Sequence, residues 1–241
     1  MASRVRIGDM DVDVVFKDVK NVHLSVHPPS GAVRVTAPER MTLDTVRVFA
    51  LAKRDWIKRQ QRTLREQRRE TPREYLERES HDVWGRRYLL HITEKDAAPM
   101  VELRHRTLWL QVRPGTDGAG RQTVVEGWYR EQIKRAVPAL LTHWEPIVGA
   151  KAQHVFVRRM KTKWGSCNPV SGNIRLNTDL AKKPRVCLEY VLVHELVHLL
   201  EPTHNARFVE LMDRLMPNWA VHRAVLNSLP LRHEQWGVYM D

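Results

Sequence analysis

The sequence predicts an α+β chain in two parts: a strand-rich N-terminal part with a basic helix, then a helical part beside a small sheet. Three observations carry that prediction. Apolar and polar residues alternate with period two over 4–37 and again over 85–112, the pattern of half-buried strands. Apolar residues recur at helical spacing over 123–148 and 218–229. The stretch Val191–Leu200 is apolar almost all round, the mark of a buried helix.

Taken in order, Val5, Ile7, Val12, Val14 and Phe16 form the first alternating run, Val22, Leu24 and Val26 the second, and Val33 and Val35 a third. Pro28-Pro29-Ser30-Gly31 is a turn between two of them. Thr42 offers a helix cap, and Val46, Phe49, Ala50, Lys53, Trp56, Ile57 and Leu64 give a helical stripe, so a basic helix is expected over 43–70. Its arginines are interspersed with glutamates, which reads as a solvated face laced with ion pairs. Thr71-Pro72 ends the run.

Strands follow at Tyr88–Ile92 and Val101–His105, expected to pair, with a third at Thr107–Val112. Pro114-Gly115 and the glycines after Asp117 suggest a flexible loop. The expected division is therefore an accessory region, 1–120, and a catalytic domain, 121–241. Within the second part, Thr123–Val148 reads as an amphipathic helix, with Pro138 either kinking it or lying near a break. His154–Arg158 reads as a strand, and the segment Met160–Asn177 as a strand, a tight turn at Ser171-Gly172 and another strand. A last helix is expected over Asn218–Leu229, stopped by Pro230, with Trp236 and Tyr239 docking the tail.

The 241 residues carry a net charge of +12 and two cysteines. Two cysteines make no disulfide framework, and the N-terminus has no apolar signal segment, so a reducing, cytoplasmic setting is expected. No apolar run reaches the roughly 20 residues of a membrane span, and no membrane association is expected. The positive balance suits polyanions, DNA or a nucleoprotein among them, although charge alone identifies no partner.

The chemistry is concentrated in His194-Glu195-Leu-Val-His198, an instance of HExxH. Residues four apart on a helix share a face, so His194 and His198 can direct both imidazoles at one ion. Glu195 can reach a water on that ion without being a ligand, the arrangement of a zinc hydrolase. Burying these groups unpaired would be costly, and a metal removes the cost. Pro202 ends the helix, Thr203 is a candidate cap for a helix from His204 to Met216, and the turn can bring His204 back as a third ligand. Three ligands leave the fourth tetrahedral position to water; a structural site would need a fourth ligand, for which Cys167 and Cys187 are the candidates.

The combination of KTKWGSC, GNIRLN, EYVLVHELVH and THNARF, with VTAPER and AKRDWIKRQ before it, resembles the YgjP-like zinc metallopeptidases. These are related to the SprT and Spartan group of zincins. The resemblance spans nearly the whole chain. It implies a zincin-like α+β fold with the active-site helix beside a small sheet. It further implies Zn2+ held by His194, His198 and His204, Glu195 as general base, and protein or peptide substrates. Some relatives act on DNA-associated proteins, which raises the same expectation here by analogy only. Relatives commonly carry tryptophan where this chain has Val209, a change that touches packing behind His204.

Lys163, Arg207 and His222 are candidates by type for a further oxyanion donor. His222 also suits a plain surface role. Cys167 reads as a small buried hydrophobe. Two other readings stay open from the residues: a non-catalytic basic module that binds nucleic acid and holds a structural zinc, and hydrolysis of a non-peptide amide.

Overall fold

The computed structural model describes residues 2–27, 31–66, 70–161, 163–232 and 238–239. The chain is mixed α+β and divides into two compact units, one of residues 1–70 with 233–241, the other of residues 71–232. The division thus falls at Glu70–Thr71, not at residue 120. Asp117 and its glycines do not form a loose linker. The Asp117 carboxylate accepts from the Gly120 N–H at 2.8 Å, which caps and starts a long helix.

In the first unit, β1 (Ala2–Ile7), β2 (Met10–Lys17), β3 (His23–His27) and β4 (Ala32–Pro38) form a sheet with β12 (Val238–Tyr239), in the order β1-β2-β4-β3-β12. Only β2 and β4 run parallel. The alternating valines 12, 14, 33 and 35 are buried together with Val46, Ala50, Ile57 and Leu64 of the helices. The expected single helix is two, α1 (Leu43–Ala52) and α2 (Arg54–Glu66). The Lys53 N–H turns back to Ala50 O, which ends α1, while Arg54 and Lys58 pair with Asp9 at 3.2 and 2.6 Å and secure the start of α2. Residues 67–69, the last turn expected of that helix, and Trp236, expected to dock the tail, lie outside the described residues.

The second unit opens with β5 (Ser80–Val83), β6 (Arg86–Glu94), β7 (Met100–Arg104) and β8 (Thr107–Val112), in the order β5-β6-β8-β7. The strands expected to pair, near 88–92 and 101–105, are separated by β8. His105, with φ 51°, makes a tight turn that folds β7 onto β8, and β8 then pairs parallel with β6. This puts Leu90, Leu108, Leu110 and Val112 on the buried face. Against it lies α3 (Gly118–Val148), 31 residues long and continuous through Pro138.

A second sheet, ordered β10-β11-β9, contains β9 (His154–Arg158), β10 (Gly165–Asn168) and β11 (Asn173–Asn177). A 3-10 turn, Thr178–Lys182, leads into α4 (Arg185–Val197), followed by α5 (Ala206–Leu215) and α6 (Trp219–Ser228). The turn before α4 is pinned from two sides. The Trp84 and Gly85 N–H groups at the β5–β6 hairpin tip donate to Ala181 O and Lys182 O. A Cβ on Gly85 would lie 2.8 Å from Pro184, so the hairpin can dock that closely only with glycine there. From beneath, buried Asp179 accepts from Arg232 at 2.6 and 3.0 Å and pairs with Lys182 at 3.0 Å. Burial pushes the Asp179 carboxyl up, but Lys182 and Arg232 outweigh it and hold it well below the usual carboxylate range. None of the described helices is long and apolar enough to cross a membrane.

Candidate metal centre

The helix α4 is buried on nearly every side by Cys187, Leu188, Val191, Leu192, Val193, Leu196 and Val197. A rigid, packed helix is what a metal site needs, because its ligand atoms must be held to a fraction of an ångström. His194 and Glu195 sit in its last turn, and His198 is its C-cap. The helix therefore ends before Pro202. His204 belongs to the connecting turn, because Asn205, not Thr203, caps α5: its Oδ1 accepts from the Phe208 N–H at 3.0 Å. The Thr203 hydroxyl is engaged elsewhere, donating to Glu201 Oε1 at 2.9 Å.

That turn brings the three imidazoles together. His204 Nε2 lies 3.1 Å from His198 Nε2 and 3.0 Å from His194 Nε2. Two nitrogens bound tetrahedrally to one zinc at about 2.0–2.1 Å would be about 3.3 Å apart. The spacing therefore fits a shared ion. Protonation supports the fit. His198 Nδ1 faces Glu201 O at 3.0 Å; a carbonyl can only accept, so the proton is on Nδ1 and the Nε2 lone pair points inward. Burial, then the charges of His198, His204 and Arg223, push the His194 imidazole down to about 3, which keeps it neutral as a ligand must be. Phe208 is 2% exposed and packs against all three, with ring centroids 4.9, 4.6 and 4.8 Å from His194, His198 and His204, edge-on to the first and last and tilted by 30° to His198. Val209 is 40% exposed, so Phe208 and not its neighbour backs the histidines.

Glu195 is 5% exposed and lies against β10. A Cβ on Gly165 would stand 2.5 Å from Glu195 Oε1, 2.8 Å from its Cγ and 2.8 Å from Val191 Cγ1. The strand can pass this close to the helix only because residue 165 has no side chain. Burial raises the Glu195 carboxyl to about 8, against the pull of the Lys163 charge. A divalent ion beside it would draw that value back down.

The remaining candidates separate. Cys167 is half-buried near Glu195; burial, then the Glu195 charge, raises its thiol to about 11. Cys187 is fully buried and likewise raised to about 11 by burial. Among the described residues, neither joins the histidine cluster. Arg207 is exposed and paired with Glu210 at 3.6 Å. His222 is half-buried on α6; its neighbour Arg223, which the sequence reading passed over, is the one whose charge acts on His194. Gly165 and Phe208 also escaped that reading. The only signals for them were the motifs WGSC and THNARF, which do not say what each residue touches.

No curated protein matched the chain. Among solved structures, the metallopeptidase zymogen abylysin of Pyrococcus abyssi matches at 24% identity and a TM-score of 0.35, over 37% of this chain and 90% of that one. The model of the YgjP-like metallopeptidase domain matches residues 20–229. That match takes in the histidine cluster, Glu195, Gly165 and most of both units, and the chain belongs to the YgjP-like metallopeptidase family.

Proposed function

We propose that this metallopeptidase is a zinc-dependent, HExxH-type enzyme in which His194, His198 and His204 hold the ion and Glu195 is the general base. The convergence of His194 Nε2 and His198 Nε2 on His204 Nε2, at 3.0 and 3.1 Å, beside a buried carboxylate carries the reading. Zinc held there would supply Lewis acidity and make a water easier to deprotonate. Glu195 takes that water's proton as the oxygen adds to the scissile carbonyl carbon. It then gives the proton to the leaving nitrogen as the C–N bond breaks, leaving a carboxyl and an amine. Its burial favours this use, because a carboxylate in an apolar setting is more basic than one in water. In sheet order β10 is an edge strand, and it passes directly over Glu195. An extended peptide pairing with that edge would be held through its backbone, giving sequence-tolerant binding.

The structural-zinc alternative is disfavoured because no fourth ligand joins the three histidines among the described residues. The deciding experiment compares wild type with Glu195→Gln on casein and a mixed peptide library. The variant should keep its zinc and lose hydrolysis by roughly 10²–10⁴-fold. A variant that cleaves as well as wild type removes Glu195 from the role.

Proteins bound to nucleic acid are a candidate substrate class, supported by the charge of +12 and by Arg62 and Arg65 on the exposed side of α2. Reversing both to glutamate should weaken DNA binding and shallow its salt dependence. Unchanged affinity and slope would remove α2 from any such contact.

A further inference from the structure

The chain from Lys151 to Asn177 carries six cations, Lys151, Arg158, Arg159, Lys161, Lys163 and Arg175, and no acidic residue. It builds the sheet ordered β10-β11-β9. One face of that sheet turns inward. Val155 and Val157 pack on the core, Ile174 and Leu176 are fully buried, and Gly165 lies against Glu195. Successive residues of a strand point to opposite faces. The other face therefore presents His154, Phe156 and Arg158 from β9, Arg175 from β11 and Ser166 from β10.

Register sets these residues side by side. Arg175 pairs with Phe156 on one side and with Ser166 on the other. Paired strands lie about 4.8 Å apart. The His154 and Phe156 ring centroids are 5.9 Å apart, which places both rings on the same face. Phe156 is 48% exposed, His154 and Arg158 are exposed and Arg175 is half-buried, so this face is open to solvent. Arg158 and Arg175 make no ion pair or hydrogen bond among the described residues. The loop from β9 to β10 is held in place. Buried Asn177 donates from Nδ2 to Met160 O and Lys163 O, both at 2.9 Å, and from its own N–H to Trp164 O at 2.8 Å. The surface is therefore preformed, which spares a ligand the cost of ordering it.

An open aromatic ring among unpaired guanidinium groups matches a ligand that alternates planar apolar groups with negative charges. An acidic peptide supplies the charges but no plane for Phe156, and a duplex keeps its bases stacked inside. An unpaired strand supplies both. We propose that the open face of the β10-β11-β9 sheet binds single-stranded DNA, with one base stacked on Phe156 and flanking phosphates paired with Arg158 and Arg175. Singling out RNA takes groups set against the 2′-hydroxyl, and aromatic and guanidinium contacts need none. From His154 to Arg158 the strand runs about 13 Å, and a sheet face of this kind takes about two or three bases. The inference rests on, and deepens, the reading of nucleic-acid-bound proteins as substrates. β10 turns one face to Glu195 and the other to this surface. A DNA strand held here brings a protein attached to it to the β10 edge.

The test uses the full-length, zinc-loaded chain as wild type, Phe156→Ala, Phe156→Trp and the double variant Arg158→Gln, Arg175→Gln. The readout is fluorescence anisotropy of a labelled oligothymidylate of about 15 nucleotides over a salt series. Phe156→Ala should weaken binding roughly 10-fold at an unchanged salt slope, and Phe156→Trp should retain it. The double variant should weaken binding and shallow the slope of log K against log salt by about 1.4. A duplex of the same length reports charge alone, so Phe156→Ala should leave its affinity unchanged. If wild type binds oligothymidylate, and Phe156→Ala and the double variant match it, the inference alone is overturned and α2 is left to carry the nucleic-acid reading. Polyglutamate that binds as tightly, and is lost in Phe156→Ala, overturns it by assigning the face to acidic protein. Oligouridylate bound about 10-fold tighter or more overturns it by assigning the face to RNA. If wild type binds no oligonucleotide, the nucleic-acid reading fails and this face falls with it, while casein cleavage tests the peptidase separately.

Discussion

Substituting Gly165 by alanine tests the closest approach in the site with a single methyl group. The new Cβ would stand 2.5 Å from Glu195 Oε1 and 2.8 Å from both Glu195 Cγ and Val191 Cγ1. Each contact is shorter by about 0.7–1 Å than the optimal heavy-atom separation of about 3.5 Å. Three relaxations exist: the strand retreats, α4 retreats, or Glu195 changes rotamer. The helix is packed on nearly all sides and the strand is braced by Asn177, so Glu195 gives way most easily. Overpacking of this kind costs about 1–3 kcal/mol. Replacing glycine returns about 0.4–1 kcal/mol through the unfolded chain. A net loss of about 1–2 kcal/mol is expected, read as a lower urea midpoint with unchanged slope. Displacing the base by about 1 Å costs about 10²-fold in kcat. The histidines are untouched, so zinc content should match wild type. A second substitution, Glu195→Ala, removes two of the three short contacts and should restore most of the lost stability without restoring activity. Wild-type kcat and stability in Gly165→Ala would refute the packing of β10 on Glu195 and the placement of the base that follows from it.

The metal-free protein should show a distinctive pH dependence. The Glu195 carboxyl is raised from an ordinary 4.5 to about 8, so the folded state holds its proton over a range in which the unfolded state has released it. Stability should therefore be highest below about pH 4.5 as far as this group is concerned, and should fall as pH rises towards 8, by about 3 kcal/mol at pH 7. Glu195→Gln should flatten the profile, and zinc should reduce its slope by favouring the ionised carboxylate; a wild-type profile identical to that of the variant contradicts the burial argument. Phe208→Ala empties the space beneath three imidazoles and should cost about 3–5 kcal/mol, with zinc affinity reduced by roughly 10–100-fold. Equilibrium unfolding and competition with a chelator measure the two effects, and a variant with wild-type zinc affinity would mean that packing against Phe208 does not orient the histidines.

The readability of this chain followed the range of each interaction. His194 and His198 were legible as a facing pair because one helical turn sets their spacing, and the structure brings their Nε2 atoms together with that of His204. The cap of the next helix was not, since Thr203 and Asn205 are both able; the choice depends on Glu201, which engages the Thr203 hydroxyl. The strands near 88–112 were recognisable from alternation, but their order depends on the positive φ of His105 and on a parallel pairing that no local pattern encodes. The boundary was misplaced for a similar reason. The glycines after Asp117 suggested a linker, whereas the Asp117 carboxylate makes them the first turn of a helix. Gly165 and Asn177 stood in visible motifs, yet what each touches lies on another element, α4 for the glycine and the Met160–Lys163 loop for the asparagine.

The most direct test of the account is zinc per chain, by elemental analysis, for purified wild type beside His204→Ala. His204 lies outside α4 and reaches the cluster only through the turn that Asn205 caps, so it tests the assembled geometry rather than the HELVH motif. The account predicts about one zinc in wild type and a clear loss in the variant, whose fold should persist because His204 is exposed. No zinc in wild type, even after adding it back to the folded protein, or full zinc retention in His204→Ala, would contradict a three-histidine metal centre.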